Sequence, residues 1–386
     1  MANDKPLKVG IIGANWGLSA RGPIYRSIPG VELGAVCTAH QSTAEAAAKR
    51  EGIPKAYWDY RDLVADPDID IIDLGTKPAI RYEMAMAAMA AGKHVYNALP
   101  FAMSVDQARD MRDLQRKNGV VGVVDAQFRW VPAIMRMKEM IEEGFLGDPY
   151  SFVANVHLPM VEQDGRRFPL CMWSTPQPYL WMSEESSGAS AWRNFGSHMM
   201  LMLVNLFGEI EEIIGRTSLC LKRWEGPDGK DIEVQTADTV SALVTMKHMG
   251  MTGTINISWV AADAGGMYVD VYGSKGRLVL RDTTFADNTA TLFAGDTRPR
   301  DMWGESGSFV DIPERLFNVP DTPFTKADAP RFTIPMSWLL RDMVRAIRNG
   351  GDASPSFNDA YHVHRAVEAL IHSMSTRSWQ RIDEDW

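Results

Sequence analysis

Along the first 147 residues, nearly continuous apolar runs alternate with stretches whose apolar positions recur at helical spacing. Leu7 to Ile12, Val31 to Cys37, Asp68 to Gly75 and Val120 to Ala126 have the length and continuity of strands buried on both faces. Between them lie a helix running through Arg50 and capped by Ser42 or Thr43, the Ala-rich Tyr82 to Gly92, and the amphipathic Ser104 to Lys117 before the turn Asn118-Gly119. One further short strand follows Gly92-Lys93-His94 and stops at Pro100. The helix Ala133 to Glu143 closes this half at Gly144-Phe145-Leu146-Gly147-Asp148-Pro149. Such alternation predicts right-handed crossovers and a parallel sheet with helices on both faces.

From residue 148 to 386 the rhythm changes. Tyr150 to Leu158, Glu209 to Leu221, Thr239 to Lys247, Met251 to Trp259, Met267 to Tyr272 and Arg277 to Leu280 read as strands in hairpin order, with a Gly-Ser-Lys-Gly turn at 273 to 276. Two helices, Pro335 to Asn349 and Asn358 to Ser375, come late. The expectation is an α/β chain: an N-terminal Rossmann dinucleotide-binding domain over 1–147, then an α+β domain over 148–386 with a large, mostly antiparallel sheet. One face of that sheet is left without helices, so a homodimer or homotetramer through it is expected. Residues 283 to 330, rich in Asp, Thr, Pro and Gly, read as loops reaching over a cleft.

Composition narrows the partners. A net charge of −9 without a basic cluster argues against nucleic acid. The apolar runs fall short of the roughly 20 residues that a membrane span needs, and with no basic region, long apolar run or cleavage site behind Met1 to Pro6, no export is expected. Cys37, Cys171 and Cys220 are odd in number and widely spaced, which disfavours disulfides or a zinc cluster and suits a reducing cytoplasm. No metal is expected.

In an open parallel sheet the ligand sits at the carboxyl ends of the strands. After the first strand come Gly13, Ala14, Asn15 and Trp16, a dinucleotide fingerprint whose second glycine is Asn15. After the second come Thr38, Ala39 and His40 with no acid to hold a ribose hydroxyl; His40, Ser42 and Thr43 could meet a 2′-phosphate, so NAD and NADP both stay open. Thr76, Lys77 and Pro78 follow the third strand, and Asn97, Ala98, Leu99 and Pro100 end the next. None of these last four exchanges a proton. Gln127 follows the fifth strand. Trp130, Trp173, Tyr179, Trp181 and Trp192 offer faces for a sugar or an aromatic ring, and Arg129, Arg166, Arg167 and Arg193 could pair with an anionic group.

The Gly-Lys-His-Val strand ending in Pro100, Gln127-Phe128-Arg129, the Gly-Phe-Leu-Gly-Asp boundary, Gly196-Ser197-His198 and the Gly-Ser-Lys-Gly hairpin together resemble the Gfo/Idh/MocA oxidoreductases over nearly the whole chain. Asn-Ala-Leu-Pro-Phe-Ala resembles most the subgroup of the fungal galactose-regulon repressor, a dinucleotide-binding sensor. The resemblance implies a nicotinamide cofactor, but where the family has Glu-Lys-Pro this chain has Ala98-Leu99-Pro100. Where the family has Asp-x-Gly-x-His it reads Asn194-Phe195-Gly196-Ser197-His198. His198, one helical turn after Asn194, is left as the expected acid/base, titrating near neutrality, with Asn194, Asn97 or Tyr179 positioning the substrate oxygen. His157, Arg129, Trp130, Trp173, Trp181 and Arg193 are candidates for the substrate side. Three functions follow: an NAD(P)-dependent oxidoreductase, a lyase or isomerase that retains the dinucleotide, and a sensor without chemistry.

Overall fold

The computed structural model describes residues 5–160, 179–226, 228–248, 250–263, 265–283, 288–296 and 307–383. The first half alternates as its apolar runs require. Its strands are β1 (Leu7–Ile12), β2 (Val31–Cys37), β3 (Lys55–Tyr57), β4 (Ile71–Leu74), β5 (His94–Asn97) and β6 (Gly122–Val124). They form one parallel sheet in the order β3-β2-β1-β4-β5-β6. Helices α1 (Gly22–Ser27), α2 (Gln41–Glu51), α3 (Tyr60–Ala65), α4 (Arg81–Ala90), α5 (Val105–Asn118) and α6 (Pro132–Glu142) lie between and after the strands. The order reverses between β1 and β4, which opens a crevice at the carboxyl ends of these neighbours.

The second half begins with β7 (Pro149–His157) and α7 (Ser197–Phe207), followed by β8 (Ile210–Ser218) and a ribbon of β9 (Arg223–Glu225) with β10 (Asp231–Glu233). After these come β11 (Thr239–Met246), β12 (Thr252–Ser258), β13 (Gly266–Gly273), β14 (Gly276–Asp282), β15 (Thr291–Asp296), β16 (Ser308–Phe309), α8 (Thr333–Asn349), α9 (Phe357–Thr376) and β17 (Gln380–Arg381). The large sheet runs β16-β15-β14-β13-β7-β12-β11-β8-β17, antiparallel except where β12 pairs with β7. Phe152, Ala154 and Val156 on β7, with Val240, Ala242 and Val244 on β11, bury one face; Val153, Asn155 and Leu243 point to the other. The stretch expected to be loops over a cleft instead supplies β15 and β16 to the edge of this sheet, because Leu292 alternates inward with exposed or half-buried neighbours.

The two halves are stitched together at β6. Val124 N donates to Pro355 O at 3.0 Å and Phe101 meets Phe357 edge-on with centroids 5.0 Å apart, so the start of α9 covers the edge of the first sheet. Gly122 makes this possible, since a Cβ there would come within 2.8 Å of the Phe357 ring. Ser356 and Asp359 form a reciprocal capping box that fixes where α9 begins. The cap expected from Ser42 or Thr43 is absent: Thr43 Oγ1 donates to His40 O at 2.9 Å, and the helix starts from His40 without a side-chain cap.

Beneath the crevice lies a buried ionic network. The Arg21 guanidinium donates to both oxygens of Asp73 (2.7 and 2.5 Å) and to Asp125 Oδ2 at 3.0 Å; Tyr25 OH donates to Asp73 and Tyr96 OH to Asp125. Burial works against the charge on Arg21, but Asp73 and Asp125 outweigh it and hold the guanidinium well above its ordinary value. At Asp73 burial wins, and its carboxyl is pushed up despite Arg21. Removing one partner leaves buried charge without compensation. Arg21→Met should therefore cost about 3–5 kcal/mol, read from the urea midpoint; a loss below about 1 kcal/mol would show that the network contributes no more than a surface pair.

Candidate active site

Two cavities open along the carboxyl edge of the first sheet. The larger, about 780 Å³, is lined by Gly13, Ala14, Asn15, Thr38, His40 and Thr76, six of the residues expected to hold a dinucleotide. Gly13 has φ +105, and a Cβ on it would lie 2.9 Å from Gly75 O. Gly17 and Gly75 come as close, a Cβ at Gly75 falling 3.1 Å from Gly17 Cα. The turns after β1 and β4 thus meet backbone to backbone, and Gly17 supplies the close approach that the fingerprint assigns to its later glycine. This cradle, which a side chain would fill, fits the backbone approach of a pyrophosphate. Arg50 and Arg61 also line the cavity, Arg61 lying over the Tyr60 ring at 4.8 Å. They come from the last turn of α2 and from α3, outside the loop where sequence reasoning sought a phosphate clamp.

The second cavity, about 130 Å³, is where both halves converge. Thr76, Ala98 and Leu99 come from strand ends and Gln127 from the turn after β6; Tyr179, Trp181, Asn194 and His198 come from the second half. Trp16 and Phe332 close it, meeting edge-on at 6.1 Å. Asn194 lies in a π-helical turn, Trp192–Gly196, that widens the entry to α7 and still presents Asn194 and His198 to one cavity. Asn194 Oδ1 accepts from Ser190 N at 3.1 Å. Gln127 Oε1 is buried with no hydrogen-bond partner among the described residues.

Two charged residues of this cavity escaped the sequence reading. Arg81 is fully buried, and its guanidinium donates to Thr76 O at 2.9 and 2.5 Å, to Pro100 O at 2.8 Å, to Asn97 Oδ1 at 3.3 Å and to Ala98 O. It ties the end of β4 to the end of β5 behind the cavity wall. Burial, with Arg21 nearby, pushes it down to about 9, so it remains charged at neutral pH. Asp125 faces the same cavity while held by Arg21 and Tyr96.

His198 does not titrate near neutrality. Its ring stacks on Phe128 at 4.6 Å and on Phe195 at 6.3 Å, and its Nδ1 is buried without a hydrogen-bond partner among the described residues. Burial alone drives the imidazole down to about 3. It is neutral throughout the physiological range.

Several expected residues sit elsewhere. Asn97 is fully buried and turned away from the cavity, its amide spent on Arg81 and on Phe101 O at 3.2 Å. Lys77 and Pro78 line neither cavity, and Pro78 packs towards Gly188. Arg129 donates to Asn205 Oδ1 at 2.5 Å and to Ser354 Oγ. Trp130 stacks on Trp338 in a separate cavity beside α8. Arg193 forms a two-pronged pair with Glu368 at 2.6 and 3.0 Å, and His157 ends β7 outside both cavity walls. Asn97, Arg129, Trp130 and Arg193 are engaged elsewhere because their neighbours in space, not in sequence, choose their direction. Trp173, Arg166 and Arg167 lie outside the described residues.

The chain matches the model of the Gfo/Idh/MocA oxidoreductase family with its NAD-binding Rossmann fold over residues 7–126, and that of the Gfo/Idh/MocA C-terminal domain over 134–279. It belongs to this family of NAD(P)-dependent oxidoreductases. It is 26% identical to levoglucosan dehydrogenase of Pseudarthrobacter phenanthrenivorans, covering 97% of both chains, and 22% identical to an NADP-dependent scyllo-inositol 2-dehydrogenase of Bacillus subtilis, covering 95% of this chain and 93% of that one. An NAD-binding oxidoreductase of Klebsiella pneumoniae superposes with a TM-score of 0.83 at 27% identity, over 98% of this chain and 100% of that one. A levoglucosan dehydrogenase structure holding NADH gives the same score at 23% identity over the same shares, which shows the common fold. Among the described residues no helix is long and apolar enough to cross a membrane.

The buried His362 and His364 and the half-buried His198, packed between aromatic rings, carry a pH signature. Burial lowers His198 and His364 to about 3 and His362 to about 4. Once unfolded they take up protons near pH 6.5, so below that pH the unfolded chain binds protons that the folded one refuses. Stability is therefore full above about pH 6.5 and falls as the pH drops towards 4, by up to ~1.4 kcal/mol per pH unit for each histidine. Glu368, pushed up by burial, opposes this only in the carboxylate range. Urea unfolding at pH 7.5, 6 and 5 should show the fall, and equal stability at all three would contradict the burial of these rings.

Proposed function

We propose that the protein is an NAD(P)-dependent oxidoreductase acting on a small hydroxyl- or carbonyl-bearing substrate, sugar- or polyol-like or aromatic. The observation that carries this is the convergence of Thr76, Ala98 and Leu99 from the strand ends with Asn194 and His198 from the π-turn on one cavity. Bound there, the nicotinamide would supply or accept hydride. Residues 1–147 would hold the dinucleotide: Gly13 to Trp16 at the pyrophosphate, Thr38 and His40 at the adenosine ribose, and Thr76, Ala98, Leu99 and Gln127 beside the nicotinamide. Residues 148–386 would hold the substrate through Tyr179, Trp181, Asn194 and His198. Aromatic faces shed water easily and stack on either sugar carbons or a ring. The same domain would pair with a second copy through the open face of the large sheet, where Leu243 and Tyr272 are exposed.

Leu99 and Asn194 support a second reading. Neither carries a proton, so the site would also suit a scaffold that binds the dinucleotide without net redox turnover, as a sensor of the galactose-regulon repressor kind or as a lyase. Calorimetry on cofactor-stripped protein tests the common premise. Both NAD and NADP should bind, with affinities less than roughly a thousandfold apart, about 4 kcal/mol, since no strand-end acid selects between them. Uptake of neither would refute the proposal.

A further inference from the structure

We propose that His198 acts as a neutral hydrogen-bond donor, its proton on Nε2 facing the cavity, and polarises a substrate carbonyl oxygen instead of exchanging a proton with a hydroxyl. The inference rests on the oxidoreductase reading and deepens it. It begins from the ring's two nitrogens. Nδ1 is buried with no hydrogen-bond partner among the described residues, and the half-buried ring, which lines the cavity, leaves Nε2 as the nitrogen that can face it. A buried N–H without an acceptor is among the rarest and costliest polar defects. The proton therefore belongs on Nε2, where water or a substrate oxygen accepts it, and the bare Nδ1 is the one enclosed.

Among the described residues nothing around the ring favours imidazolium. From the turn after β6 the ring meets Phe128, and from the π-turn Phe195; Asn194 and Gln127 in the same cavity are neutral, as is Leu99 from the end of β5. The two charged heads on the wall are engaged, Asp125 with Arg21 and Tyr96, and Arg81 with backbone carbonyls. The imidazole's position near 3 comes from burial alone, with no shift from either head. Among the described residues no carboxylate steadies Nδ1, the support that lets a histidine base carry a proton.

A fixed N–H aimed at an oxygen that gains charge is a transition-state stabiliser. In carbonyl reduction a bound reduced dinucleotide would supply hydride for the new C–H bond, and the C=O π pair would move to oxygen, where His198 Nε2–H holds it. Water would then protonate the alkoxide and release hydroxide to the solvent. The imidazole ends as it began, and the reaction needs no ammonium at position 99.

Nitrogen NMR of the full chain labelled with ¹⁵N-histidine reads the proton's location without a known substrate. The chain has eight histidines, and the His198 signals are those lost in His198→Gln, or in His198→Asn if the first variant does not fold. The expected result is a protonated Nε2 and a bare Nδ1, unchanged from pH 5 to 9 with or without NADH or NADPH. A titration midpoint between pH 5.5 and 8, or a proton on Nδ1, would overturn the inference. If the dinucleotide binds and His198 titrates, this inference fails alone. If His198 keeps its proton on Nε2 but neither dinucleotide binds, the oxidoreductase reading fails instead.

Discussion

Two guanidiniums lie buried at the carboxyl edge of the first sheet, and the strand ends that line the crevice are tied to them. Arg21 and Arg81 are both sealed from water, yet they are satisfied in different ways. Arg21 is matched by two carboxylates and fixes the helix after the glycine turn to β4 and to the end of β6. Arg81 has carbonyl oxygens for partners and gathers the ends of β4 and β5 around one guanidinium. A guanidinium can serve five acceptors in a fixed plane, which a lysine could not do. The strand ends that face the crevice are thereby held in place by interactions behind the cavity wall.

That arrangement leaves the proposed reaction centre with little charge to use. Leu99 occupies the position where the family has an ammonium, Asn194 the position of an acid, and His198 is kept neutral by aromatic walls. The polar groups facing the cavity then work by donating or accepting hydrogen bonds. Chemistry in such a site draws on fixed dipoles in a low-dielectric space more than on proton transfer by side chains. The aromatic frame of Trp16, Phe128, Tyr179, Trp181, Phe195 and Phe332 serves the same end, since it excludes the water that would screen those dipoles.

The fold was legible in the sequence because burial writes itself into composition. Strands such as Val31–Cys37 and Ile71–Leu74 are continuous apolar runs, whereas Thr239–Met246 alternates, and these two patterns separate a sheet covered on both faces from one covered on a single face. Residues carried by backbone position, such as Gly13, Thr38, Thr76 and Leu99, were also within reach, since strand ends define the crevice. Direction was not. Arg129 and Arg193 adjoin motif residues but turn to Asn205 and Glu368, while Arg81, which opens a helix and reads as a surface cation, is buried at the site. Nor could sequence spacing show that Phe128, seventy positions before His198, presses on its ring and removes its basicity.

On the proposed reading, the two cavities along the carboxyl edge form one dinucleotide groove with the reacting ring at His198. A crystal structure of the protein with bound NADPH or NADH tests it most directly. The adenosine is expected in the larger cavity beside Thr38 and His40, and the nicotinamide in the smaller one, within about 4.5 Å of Leu99 and Thr76, leaving room for a substrate oxygen at His198 Nε2. A dinucleotide bound elsewhere, or a nicotinamide turned out of the cavity that holds Asn194 and His198, would contradict it.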